Sequence, residues 1–168
     1  MADEILFRGK RLDNGEWVEG YLLADDDLLP GAYICQKMTI TCRKSGEMLM
    51  GGFICVDPST ICRYTGLTGK NDVRIFEGDI LRGRNEEYRK TYGDPVVVIG
   101  EYRENDYVRR YGSDDYDDED VPVGYGVHLQ ANGQACGIDS SCTDFFEVIG
   151  NRWDNPELMP PPPGEEEA

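Results

Sequence analysis

Two carboxylates, Glu77 and Asp79, flank a glycine in the segment Phe76-Glu77-Gly78-Asp79. Acids two apart on an extended strand point to the same side, and such a pair can divide the work of a general acid and a general base. A bend at Gly78 would turn them apart. Asp79 would then hydrogen-bond backbone amides of the turn, which is the reading favoured here. His128 is the only histidine and sits in the alternating run Gly126-Val127-His128-Leu129-Gln130. A lone histidine in a strand is more often a face residue than a base. Catalysis by Glu77, Asp79 or His128 requires these groups to converge in a concave pocket.

The cysteines offer a second chemistry. Cys35 and Cys42 enclose six residues, as do Cys55 and Cys62, while Cys136 and Cys142 enclose five. Structural zinc knuckles hold their paired thiolates roughly two to four residues apart, because a tight turn must aim both at one ion. The wider spacing here predicts free thiols rather than a metal site or a disulfide framework. The run Asp114 to Asp120 has six acids in seven residues. It lacks the alternate ligands, central glycine and final glutamate of a calcium loop. Neither a nucleophile elbow nor a phosphate loop appears, so no cofactor, catalytic residue or metal ligand is expected.

The chain has 168 residues and a formal net charge of −16. That charge repels phosphate backbones and anionic membranes at long range, so direct nucleic-acid binding is disfavoured. Two basic clusters, one of Arg82, Arg84, Arg89 and Lys90 and one of Arg103, Arg109 and Arg110, lie near compensating acids. No stretch approaches the roughly 20 apolar residues of a membrane helix. Residues 1–10 carry Asp3 and Glu4 and no apolar signal core, so a cytoplasmic location is expected.

The elements that would position these groups are short strands. Asp13-Asn14-Gly15 marks a hairpin within residues 5–23. Residues 32–56 form a second β region with a turn at Lys44-Ser45-Gly46 and a break at Gly51-Gly52. Met38, Met48 and Met50 lie here and are expected to fill a core, although a methionine cluster can also make an adaptable binding surface. Asp57 to Thr60 reads as a turn or short helical start. Thr65-Gly66 and Gly69 to Asp72 read as turns, and Val73 to Phe76 as a strand. Ile80-Leu81, Val96 to Ile99, Tyr125 to Leu129 and Phe145 to Ile149 read as further strands. Residues 84–93 are read either as a short exposed helix or as an extended arm. Asn132-Gly133 is a turn signal, and Asn155-Pro156 resembles a helix start. The fold class is mainly β: small, barrel-like antiparallel sheets with little helix. The expected organisation is one β domain over 1–158, with a possible division into two lobes near 57–64. An acidic loop spans 113–121 and a disordered Pro/Glu tail spans 159–168.

Three separated segments carry a family resemblance. They are Phe7 to Leu22, the stretch Tyr64-Thr65-Gly66-Leu67 followed by Ile75-Phe76-Glu77-Gly78-Asp79-Ile80, and Phe146 to Met159. Together and in this order they resemble the YopX family of phage and prophage proteins. The turn at Gly69 to Asp72, the acidic run and the cysteines depart from that pattern. The resemblance implies a mostly β fold and a mobile-element origin, with no assigned activity and no catalytic residues to carry over. Tyr64, Thr65, Gly66, Leu67, Phe76, Glu77, Gly78 and Asp79 are therefore expected to be a structural or interaction motif.

The leading functional expectation is a noncatalytic protein-binding or assembly module. Its partner would be another protein, including a second copy in a homo-oligomer, since strand edges pair readily. One alternative is an acidic nucleic-acid mimic that occupies a host DNA-binding protein. A second is a small carboxylate-dependent enzyme.

Overall fold

The structure is a computed structural model that describes residues 5–24, 31–82, 86, 89–90, 93–103, 123–131, 134–141 and 145–159. The acidic loop, the Asn132-Gly133 turn, Arg84, Arg109, Arg110 and the tail beyond Met159 lie outside the described residues. The described chain is mainly β, in two antiparallel sheets, neither closed into a barrel. The barrel-like expectation is corrected on that point: turn signals and strand lengths predict strands, but closure depends on long-range pairing that they do not encode.

The chain divides into two units, residues 1–64 and 65–168. In the first, β1 (Phe7–Lys10) and β2 (Trp17–Ala24) form the expected hairpin. Gly15 takes φ +73 at its turn, and its amide donates to the Arg11 carbonyl. A side chain would strain that left-handed position. β2 pairs with β3 (Ala32–Cys42), which pairs with β4 (Met48–Val56). Val18, Ala32, Ile34 and Val56 are buried together, with Phe7, Leu22, Ile54 and Ile61 packed against them.

A 3-10 turn at Pro58–Thr60 follows β4. The Asp57 carboxylate accepts from the Ser59 amide at 2.9 Å and the Ser59 hydroxyl at 2.8 Å. These bonds, the hydroxyl's foremost, hold the Asp57 carboxyl below its ordinary range. Thr60 ties the turn to β1: its hydroxyl accepts from the Lys10 amide and donates to the Asp57 carbonyl.

β5 (Cys62–Thr68) carries the chain from the first unit into the second. Thr65-Gly66 lies inside this strand, not in the expected turn. Gly66 keeps the positive φ, +83, that gave the turn signal, but spends it as an irregularity within extended chain. In the second unit a 3-10 turn at Lys70–Asp72 leads to β6 (Arg74–Phe76) and β7 (Asp79–Arg82). β8 (Val96–Arg103) and β9 (Val123–Ala131) pair over eight residues. β10 (Gln134–Gly137) continues from β9 as an outer strand, and β11 (Glu147–Asn151) pairs with β7. A 3-10 turn at Pro156–Leu158 starts on the proline, but Asn155 makes no side-chain cap there. Ile75, Leu81, Val97, Leu129 and Phe146 form the buried cluster of this unit.

Candidate functional site

The Phe76 to Asp79 motif builds a crossover rather than a reactive pair. β6 neighbours β5 in one sheet, whereas β7 lies between β8 and β11 in the other, so Glu77-Gly78 is where the chain changes sheet. Phe76 and Asp79 are buried, and the Asp79 carboxylate accepts from the Phe76 amide at 2.8 Å. This is the turn contact expected of Asp79. Gly78 is buried at φ +80, where a Cβ would come within 2.6 Å of the Trp153 ring. Its amide donates to the Val97 carbonyl, and its carbonyl accepts from the Arg152 amide. The turn places Glu77 half-buried and Asp79 fully inside, so the two acids do not share a strand face.

The other half of the motif is tied to the same crossover. The Thr65 hydroxyl donates to the Ile75 carbonyl at 2.7 Å and accepts from the Leu67 amide at 3.1 Å. Leu67 packs on the buried cluster, while Gly66 is exposed. The Tyr64 amide donates to the Leu6 carbonyl. Thr65, Leu67, Phe76, Gly78 and Asp79 thus have architectural roles.

His128 is buried on β9. Its Nε2 lies 3.0 Å from the Gln130 side-chain amide nitrogen, and its Nδ1 lies 3.3 Å from the Gly126 carbonyl oxygen. A ring protonated at Nδ1 satisfies both, accepting from Gln130 and donating to Gly126. The ring stacks on Tyr102 with centroids 4.7 Å apart. Cys35, Cys42, Cys55, Cys62 and Cys136 are in no disulfide, and Cys142 lies outside the described residues. Among the described residues no group of three or more His, Cys, Asp or Glu side chains is placed to hold a metal ion.

Several described acids interleave with arginines. Asp13 meets Arg11 at 2.6 Å, Asp94 meets Arg89 at 3.2 Å and Glu147 meets Arg82 at 3.5 Å. The hydrogen bond from Arg11 holds the Asp13 carboxyl below its ordinary range. Within the first basic cluster, Arg82 and Arg89 are thereby paired with acids.

The feature that the sequence reading placed wrongly is the far half of the β3–β4 hairpin. Near its root Ala32, Ile34 and Cys35 face Val56, Ile54 and Phe53, and β2 covers the other edge of β3. Beyond Cys35 the register shifts, so that Gln36 to Met38 oppose Gly52. Gly52 adopts φ +96, and a Cβ there would overlap the Lys37 carbonyl oxygen. Pairing with β2 stops at Cys35, where the bulge begins, and a bulge of this kind bends and twists the strand that carries it. β4 runs through Gly51-Gly52 as one strand, rather than breaking there.

Past the bulge Ile40 faces Met50 and Cys42 faces Met48, which puts these four side chains on one face. Every residue from Gln36 to Met50 is exposed. Met38 is 52% exposed, Ile40 55%, Met48 63% and Met50 55%, so the methionines do not fill a core. Residue type alone could not reveal this, because a methionine satisfies a core and a contact surface equally well. The Arg43–Glu47 pair at 3.6 Å and the Gly46 turn close the tip.

The class defined by these observations is a mainly β protein of two units with an exposed, apolar β-arm on the first. A family model described as YopX protein matches residues 6–160, and the chain belongs to the YopX family. Among solved structures it is similar to protein EF1440 from Enterococcus faecalis, at 22% identity and a TM-score of 0.47. That match covers 92% of this chain and 97% of the other. No curated protein matches the chain.

Proposed function

We propose that this protein is a noncatalytic binding or assembly module, of the mobile-element origin its family resemblance implies, that works by protein contact in the cytoplasm. The observation that carries the reading is the β-arm, with Met38, Ile40, Met48 and Met50 all more than half exposed. A two-stranded ribbon is marginal in water by itself, and apolar side chains gathered on its exposed face gain free energy when another surface covers them. The carboxylates at Asp13, Asp94 and Glu147 interleave with arginines, which is why the acidic-mimic reading is not preferred.

The test is affinity capture from host lysate, comparing wild type with the double variant Ile40→Asp/Met50→Asp. Wild type should retain a stoichiometric protein, either foreign or a second copy of itself, and the variant should lose it. A wild type that stays monomeric and retains nothing would count decisively against the reading. So would a variant that retains the same protein as wild type.

A further inference from the structure

The hydrogen bonding of the arm fixes which backbone groups it leaves open. At the tip the Arg43 amide donates to the Glu47 carbonyl at 2.8 Å, so Arg43 and Glu47 are a bonded pair. Bonded and non-bonded pairs alternate along an antiparallel ribbon. Thr41–Leu49 and Thr39–Gly51 are therefore bonded, whereas Cys42–Met48 and Ile40–Met50 are not. The amides and carbonyls of Ile40 and Cys42 then point off the outer edge of β3, and those of Met48 and Met50 off the outer edge of β4. β2 covers the β3 edge at the root, from Ala32 to Cys35, and among the described residues no strand covers it further out. The β3 edge thus presents open main-chain groups beside an apolar face.

Charge distinguishes the two edges. Residues 36–50 carry Lys37, Arg43 and Lys44 against Glu47, three bases and one acid. Arg43 is paired with Glu47 at 3.6 Å. Lys37 and Lys44 have no acidic partner among the described residues, and in sequence they bracket the open stretch of β3. The β4 edge begins at Met48, beside Glu47.

We propose that the occupant of the arm is an extended, net acidic segment of a partner protein that adds as a strand to the β3 edge beyond Cys35. The inference rests on the contact-module reading above and names the partner's chemistry. Main-chain bonds to Ile40 and Cys42 supply the pairing. Alternate side chains of the segment continue the apolar face of Ile40 and Met50, and those between them stand beside Thr39 and Thr41. Carboxylates near its two ends meet Lys37 and Lys44, and about five to seven residues span that stretch at roughly 3.3 Å each. Lysines at a strand edge disfavour pairing between identical arms and leave an acidic strand as the matched one.

The probe is a labelled synthetic peptide with blocked termini, about seven residues long, alternating valine with threonine between a glutamate at each end. It is titrated into the full chain at about 0.15 M salt and followed by fluorescence anisotropy and amide exchange. The peptide should bind and raise protection at the Ile40 and Cys42 amides, and not at Met48 and Met50. An added strand turns only one of its edges to β3, so N-methylating one alternate set of peptide amides should abolish binding while methylating the other set leaves it. Lys37→Glu/Lys44→Glu, or lysines in place of the peptide's glutamates, should each weaken binding by about tenfold or more, and combining the two should restore it.

A peptide that does not bind overturns the inference. So does binding that survives methylation of either set, or protection that falls on Met48 and Met50 instead. Self-association of the chain that Ile40→Asp/Met50→Asp abolishes would put a second copy on the arm and overturn it as well. Lysate capture keeps the two levels apart. If wild type retains a protein through Ile40 and Met50 and the peptide fails, strand addition falls and the contact module stands. If neither a protein nor the peptide is retained, both fall.

Discussion

Ile34 and Ile40 lie six residues apart on β3, yet Ile34 is fully buried and Ile40 is 55% exposed. The root and the arm of one hairpin share a residue repertoire and a strand pairing. They differ in what lies around them. At the root, β2 pairs with β3 from Ala32 to Cys35, and Val18 and Val56 close over Ile34. Beyond the bulge at Gly52 nothing described in the chain covers the ribbon. Burial here follows from the neighbouring elements, not from the hydrophobicity of the strand.

The comparison predicts a graded series of effects. Ile34→Ala should have the largest, costing about 2–5 kcal/mol in denaturant unfolding, because it removes atoms from a site that cannot fully collapse. A cost near zero would show that the root is as open as the arm. Gly78→Ala should follow at about 2–4 kcal/mol, since a methyl at φ +80 is strained and meets the Trp153 ring. That turn is the second unit's counterpart to the root, since Phe76, Gly78 and Asp79 are all buried there.

Asp79→Ala should cost about 1–3 kcal/mol by leaving the buried Phe76 amide without that acceptor. Asp79→Asn keeps an acceptor oxygen and should cost less. Equal losses for the two would argue that the carboxylate acts through its charge and not through that bond.

Acid should act next, at the turn that follows the root. The Asp57 carboxyl is held below its ordinary value of 3.8, so the stability it contributes is complete above that value. It is lost as pH falls through the lower value of the folded state. Amide protection factors at Ser59 and Thr60 should therefore fall below about pH 4. The smallest effect is expected for Ile40→Ala, within about 0.5 kcal/mol, because an exposed side chain leaves no cavity. If Ile40→Ala instead matched Ile34→Ala, the arm would be packed against something within the same molecule.

Local chemistry was legible wherever a turn is written in adjacent residues. Asn14-Gly15 and Ser45-Gly46 mark hairpins because their glycines supply positive φ at φ +73 and +86. The same signal misled at Thr65-Gly66, where positive φ serves an irregularity inside β5. β10 was not read from Gln134 to Gly137 because four residues give too short a pattern, and its strand character comes from pairing with β9. Of the candidate motif, the amide contact of Asp79 could be read from its place beside Gly78. The change of sheet that this contact secures could not.

Turn residues and period-two alternation determined a strand-built chain with a sharp bend at Gly78, and three separated segments carried the resemblance to the YopX family, because such signals act over a few neighbouring residues. Tertiary structure decided that the sheets stay open, that Glu77 and Asp79 part, and that Met38, Met48 and Met50 face outward. The physical reason is that a side chain's type fixes how strongly it leaves water, while only the packing of distant segments provides somewhere for it to go.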